Sequence, residues 1–317
     1  MSEQQTIEKA YETAHESALI VQHDTPGVIE LRGADRVDLL HRLSTNDLEN
    51  MPANRVLRTV FTDPVGRTID VVTVLTLPDE LLIVTSSGRS KILQDWLQQH
   101  IFFQDEVTVH ISEQEGSLYG AYGPQAADSL PSAVPPEGEL VARDGSIFWP
   151  IDWPVAGYQR LVGPGQPIED WVPESGASAA FEILRVEAGL PKSGAEILED
   201  SIPLEVGLWD AVSFTKGCYV GQEILARMES RGKLAKQLVG VNLNSEAEAG
   251  STLRQGDRSV GTLTSVVFSP RLGWIGLASG RPSALATDDG RVEVGENGET
   301  AELVELPFAG VKSRTPA

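Results

Sequence analysis

After Lys236 the chain changes character, and that change constrains its fold more than any other feature. Short apolar runs at 238–243, 259–267, 274–278, 291–294 and 301–306 alternate with Gly, Asp and Asn turns. Runs of this length pair into antiparallel strands, and about 80 residues built only of them close most simply as a small barrel. Upstream the pattern mixes helical and strand periods. At 317 residues the chain exceeds what one core ordinarily serves, so two or three domains are expected.

The upstream spacing predicts a helix over 6–18, a strand at 28–31, and a helix at 34–43 with Val37, Leu39, Leu40 and Leu43 apolar. Strands are expected at 55–62, 68–77 and 81–85, the last two joined by the turn Pro78-Asp79-Glu80. Ile92, Leu93, Trp96 and Leu97 mark a helix at 90–100. Strands follow at 107–111 and 118–122, and Pro124 suits the first position of another helix. Residues 131–165 are rich in Pro and Gly and read as loops between edge strands, before a helix at 177–187 that Gly189 and Pro191 end.

Lys216 to Arg227, K-G-C-Y-V-G-Q-E-I-L-A-R, holds the only cysteine, Cys218, between two glycines that open a short amphipathic helix. Ile224, Leu225 and Met228 give that helix its apolar side. A thiol beside Lys216 and near a helix N-terminus is shifted toward thiolate; the plain alternative is a small buried residue in a turn. One cysteine allows no intrachain disulfide, and the five histidines (15, 23, 41, 100, 110) lack metal-ligand spacing, so no intrinsic metal site is expected.

The net charge of −21 opposes nucleic-acid binding, because it repels phosphates. With 46 acidic residues and few lysines, the surface also resembles that of proteins adapted to high salt, where screening makes excess carboxylates tolerable. Against that background Lys216, Arg227, Arg231, Lys233 and Lys236 form a cationic stretch, suited to an anion or to a solvated linker face. No apolar run reaches 18 residues and the first residues lack a signal-peptide pattern, so a cytoplasmic protein without membrane association is expected.

K-G-C-Y-V-G-Q-E at 216–223 resembles the signature of the YgfZ family, folate-binding relatives of the glycine-cleavage T-protein. G-A-D-R-V-D-L-L-H-R-L-S-T-N-D (33–47), R-V-E-A-G-L-P (185–191) and I-P-L-E (202–205) resemble it too, in the same order. The resemblance implies a T-protein-like α+β fold: two α+β subdomains within 1–230, interleaved, and an antiparallel β-barrel over 236–317. It implies a cofactor, tetrahydrofolate or a derivative, held where these units meet.

Glu187 falls on the family's pterin-binding glutamate, and a carboxylate matches a pterin's amino group and ring N–H with two hydrogen bonds. Pairing with Arg185 or Arg32 is its structural alternative. The folate's anionic tail needs cations, with Arg227, Arg231 and Lys236 as candidates beside Arg185 and Lys216, and Tyr219 is placed to stack on a ring. T-proteins carry paired aspartates on one strand; here G-R-T-I-D-V-V-T-V (66–74) keeps Asp70 alone, with Val71 beside it on the opposite face.

Three functions stay open. The first is a YgfZ-like folate protein assisting iron–sulfur proteins or their assembly factors, with Cys218 as nucleophile, redox group or transient sulfur or iron ligand. The second is an aminomethyltransferase that takes its one-carbon unit from a lipoylated carrier protein, with Asp70 as the catalytic residue. The third is a folate-binding module without chemistry.

Overall fold

The computed structural model describes residues 2–112, 116–130, 134–152, 154–163, 166, 168, 171–285, 290–296 and 298–311. The chain begins with α1 (Glu3–Glu16), β1 (Leu19–Gln22), β2 (Val28–Arg32), α2 (Arg36–Leu43), β3 (Arg55–Thr62) and β4 (Thr68–Thr76). It continues through β5 (Leu81–Val84), α3 (Ser90–Gln99), β6 (Thr108–Ile111), β7 (Ser117–Tyr122), β8 (Val141–Arg143), β9 (Ser146–Ile151) and β10 (Gly157–Val162). Next come α4 (Ala177–Ala188) and α5 (Gln222–Arg231). Six strands complete it: β11 (Gln237–Leu243), β12 (Thr252–Gln255), β13 (Arg258–Ser269), β14 (Gly273–Gly280), β15 (Arg291–Val294) and β16 (Glu299–Val304).

Residues 28–111 supply one whole sheet, ordered β3-β4-β5-β2-β6 and antiparallel throughout. Leu39, Leu40 and Leu43 of α2 and Leu93 and Leu97 of α3 cover one of its faces, against Ile29, Leu31, Val72 and Val74. The second sheet, ordered β1-β7-β10-β9-β8, takes β1 from before that block and its other strands from after it. One subdomain is therefore interrupted by the other. α1 and α4 pack on this second sheet through Ala10, Ala14 and Ala180, whose small side chains let the helices approach Leu19, Val21 and Tyr122 closely. Val28, Leu75, Leu82 and Val84 join the first sheet to Leu140, Trp149 and Leu161 of the second.

The C-terminal strands close into an antiparallel barrel, ordered β11-β14-β13-β12-β15-β16, with β16 returning to β11. Val239, Val241, Leu253, Leu263 and Leu303 fill it. It docks on α4, where Val186 meets Leu238, Ile275, Leu277 and Phe308. The α+β fold with an antiparallel C-terminal barrel is thus present.

Three local expectations are corrected. β1 and β12 carried no strand expectation, because LIVQ follows a helix almost directly and TLRQ has a single apolar residue. The Pro- and Gly-rich stretch holds three strands where loops were expected, and β10 lies between β7 and β9 inside the sheet. Pro150 is tolerated because β8 pairs only with Ser146–Phe148, so it lies beyond that partner's end. Pro124 precedes a short 3-10 turn at Ala126–Ser129 instead of an α-helix. Among the described residues no helix is long and apolar enough to cross a membrane.

Candidate functional site

Where both sheets, α4 and residues 190–199 converge, they enclose a cavity of about 620 Å³. α4 contributes Ser178, Phe181, Glu182 and Arg185, at i, i+3, i+4 and i+7, the spacing of a single helix face. The first sheet brings Asp70 from β4 and Ser86 and Arg89 from the loop into α3; the second brings His23 and Gln159.

Asp70 is 3% exposed. Its Oδ1 accepts the Val71 N–H at 2.9 Å and its Oδ2 the Ser86 N–H at 3.1 Å. Burial pushes its pKa up to about 6, against the lesser pull of Ser86, the Val71 amide and Arg89. Val71 packs away from it, with Val60, Val206 and Leu208. Arg89 donates to the Ile69 carbonyl at 2.6 Å.

Arg185 is also on the wall, but its guanidinium is fully engaged. It donates to Glu182, to Glu196 at 3.0 Å, to Ser265 Oγ at 2.7 Å and to the Leu190 carbonyl at 2.6 Å. Glu182, a third exposed, is thereby fixed at the cavity. Burial works to raise its pKa, but the hydrogen bonds and charge of Arg185 prevail and hold it below the ordinary range.

Glu187 is not on the cavity wall. Two residues past Arg185 on a helix is a turn of about 200°, which aims it at α1 and the barrel. Its carboxylate accepts the Tyr11 hydroxyl at 2.9 and 3.1 Å and Ser269 Oγ at 2.5 Å, with Arg271 at 3.7 Å. Burial, then Glu187's charge, raises the Tyr11 pKa well above its usual value.

The K-G-C-Y segment also lies outside the cavity. Lys216 Nζ donates to the carbonyls of His41, Ser44 (2.8 Å) and Asn46 (2.9 Å), tying off the end of α2. Burial lowers its pKa to about 8, which still leaves it protonated at neutral pH. Tyr219 is buried with Leu204, Val212 and Leu225, so it cannot stack on a bound ring. Arg227, Arg231 and Lys236 are exposed and, like Cys218, do not line the cavity. Gly221 is required where it stands: at φ 85° it lies against the β3–β4 turn, and a Cβ would meet the Asp63 carbonyl oxygen at 2.7 Å.

His41, Asp47 and Glu49 bring potential metal-ligand atoms within 4.8 Å of one another. The His41 Nδ1 lone pair, however, already accepts the backbone N–H groups of Leu48 and Glu49. Sequence reasoning missed His23, Glu182, Arg89 and Lys192 as wall residues. The i, i+3, i+4, i+7 set from Ser178 to Arg185 was a usable signal for Glu182; isolated loop residues such as His23 gave none.

Comparison with known proteins agrees with this architecture. The GCVT N-terminal domain family matches residues 2–140, and the glycine cleavage T-protein C-terminal barrel domain family matches residues 236–309. A chloroplastic protein of Arabidopsis thaliana, provisionally named a transferase, is 29% identical over 81% of this chain, and the match spans 64% of its own length. An aminomethyltransferase of Bacillus subtilis is 26% identical, covering 96% of this chain and 91% of its own. The crystal structure of glycine cleavage system aminomethyltransferase T from Bartonella henselae superposes with a TM-score of 0.83 at 19% identity, over 98% of this chain and 91% of that one. The chain therefore carries a GCVT N-terminal domain and a glycine cleavage T-protein C-terminal barrel domain, and it is homologous to aminomethyltransferases.

Proposed function

We propose that this protein binds tetrahydrofolate in the cavity between its sheets and α4 and transfers a one-carbon unit there. The carrying observation is Asp70: a carboxylate on the wall of that cavity whose pKa burial pushes up to about 6 despite its hydrogen bonds. A group with that pKa is ionised at neutral pH yet basic enough to accept a proton from an attacking nitrogen. The cavity's 620 Å³ lies in the range of small-molecule sites. Its chemistry suits a folate, with Glu182 for the ring's N–H groups, Asp70 for the reacting nitrogen, Phe181 for the ring's face, and Arg89 and Lys192 for the anionic tail. A lipoylated carrier protein is the donor expected for an aminomethyl group.

The test measures tetrahydrofolate binding, then single-turnover transfer from an aminomethylated lipoyl carrier. Asp70→Asn should slow transfer by about a thousandfold while affinity stays within about threefold, on the scale of general-base catalysis. The wild-type rate should rise with pH through about 6 as Asp70 ionises. A wild-type protein that binds tetrahydrofolate but never turns over overturns the transferase reading.

A second reading rests on a different observation. Cys218 is exposed at the surface, in a segment that Lys216 and Gly221 pin to the first sheet's helix and turn. That placement suits a YgfZ-like role in which the thiol meets iron–sulfur proteins or their assembly factors while folate occupies the cavity. Loss of iron–sulfur enzyme activity in a deletion strain carrying Cys218→Ala would favour it.

A further inference from the structure

The cavity wall supplied by the second sheet contains a row of polar groups, Trp149, Gln159, Tyr122 and His23, whose donor and acceptor roles can be assigned in turn. Trp149 Nε1–H can only donate, so the Gln159 atom 3.0 Å from it is the carbonyl Oε1. The Gln159 amide –NH2 is then the group turned to the side of Tyr122, where burial raises the hydroxyl's pKa and the nearness of Gln159 lowers it by less. The Tyr122 hydroxyl is fully buried and, among the described residues, its one acceptor is His23 Nε2, 2.6 Å away, to which it directs its proton. Nε2 is therefore an acceptor, and the neutral imidazole carries its proton on Nδ1.

The ring is held in place by edge-to-face contacts with Phe181 at 4.8 Å and Tyr122 at 5.8 Å between centroids. Burial draws the His23 pKa down to about 4, with Asp24 opposing and Lys192 assisting, so the ring is neutral at physiological pH. His23 lines the cavity, and among the described residues nothing accepts from its Nδ1.

We propose that the His23 Nδ1–H reads the 4-oxo group of a bound pterin and makes the cavity select 4-oxo over 4-amino pterins. The proposal rests on the folate reading above. A 4-amino group would set one N–H against another. Turning the imidazole to its other tautomer would relieve this only by leaving the buried Tyr122 hydroxyl proton without an acceptor, because Gln159 gives its carbonyl oxygen to Trp149. Arg89 and Lys192 are also donors, but as cations they are the groups assigned above to the anionic tail, and Arg89 also holds the Ile69 carbonyl.

The test compares tetrahydrofolate with tetrahydroaminopterin, which differ in the C4 substituent and with it in the N3 proton, by anaerobic titration calorimetry on wild type, His23→Ala and Tyr122→Phe, the variants isolating the part read at C4. Wild type should prefer the 4-oxo ligand by about a hundredfold, as sites built to donate to a ligand reject analogues that cannot accept. His23→Ala should weaken tetrahydrofolate about tenfold and leave the 4-amino ligand within about twofold. Tyr122→Phe keeps the imidazole but frees its tautomer, and should cut the preference about tenfold. A preference unchanged in His23→Ala, with tetrahydrofolate still bound, overturns this proposal and leaves the folate reading standing. Wild type that fails to bind tetrahydrofolate overturns both. Should His23→Ala not fold, an unchanged preference in Tyr122→Phe overturns it instead.

Discussion

Glu187 and Asp70 are buried to nearly the same degree, 2% and 3% exposed, yet their surroundings are opposite in kind. Glu187 sits at the seam of α1, α4 and the barrel, accepts two hydroxyl protons and faces Arg271. Asp70 sits at the cavity, where two backbone N–H groups, the Ser86 side chain and Arg89 pull its pKa down less than burial pushes it up. A buried carboxylate with a full set of partners fixes structure; one whose partners do not offset its burial retains a proton affinity that chemistry can use. Burial by itself therefore says little about function, and the partner list says much.

The comparison breaks first at Glu187. Glu187→Ala leaves the Tyr11 and Ser269 hydroxyls without their acceptor and should cost about 3 kcal/mol, read from urea unfolding. Tetrahydrofolate affinity in the folded fraction should be unchanged. A tenfold weaker affinity there would return Glu187 to the pterin-ligand role that family resemblance gave it.

Asp70 should respond in the reverse direction. Its folded pKa, about 6, exceeds the unfolded value, so its stabilising contribution is full below about pH 4 and is lost as pH rises through 6. Asp70→Asn has no charge to desolvate, though its –NH2 must face one of the two backbone N–H groups, so its stability relative to wild type should be about 1–2 kcal/mol better at pH 8 than at pH 4. Paired urea titrations at the two pH values decide this. A relative stability no better at pH 8 than at pH 4 would mean that Asp70 is a structural group like Glu187.

The smallest effect belongs to Cys218. Because the side chain is exposed, Cys218→Ala should change stability by less than about 0.5 kcal/mol and leave folate affinity alone. A larger loss of stability would show that the thiol is a packing element, and would remove the reason for assigning it a surface role.

Much of this architecture was legible in the sequence, since long amphipathic periods and regular turn spacing report directly on which face is buried. α3 and α4 were delimited to within one residue, and five of the six barrel strands were visible as apolar runs. The site was far less legible. K-G-C-Y reads as an active segment because lysine, cysteine and tyrosine are chemically versatile, yet Lys216 caps α2 and Tyr219 fills a core. What distinguishes Arg185 from Glu187 is helical phase relative to a cavity, and what gives His23 its character is Tyr122, 99 residues away. Those relations exist only after the chain has folded.

The interrupted subdomain has a consequence for how the molecule is made. Strands β2 to β6 find all their sheet partners within residues 28–111 and can settle as soon as that stretch leaves the ribosome. β1 must wait for β7, where Leu19 meets Tyr122, and stays an unpaired apolar edge for the whole interval. The acceptor for the Tyr11 hydroxyl arrives only with α4, and Ser269, which completes that seam, comes near the end of synthesis. A nascent chain stalled just past α4 would already hold Asp70, His23 and Glu182, but the face of α4 that turns away from the ligand would have nothing to lean on.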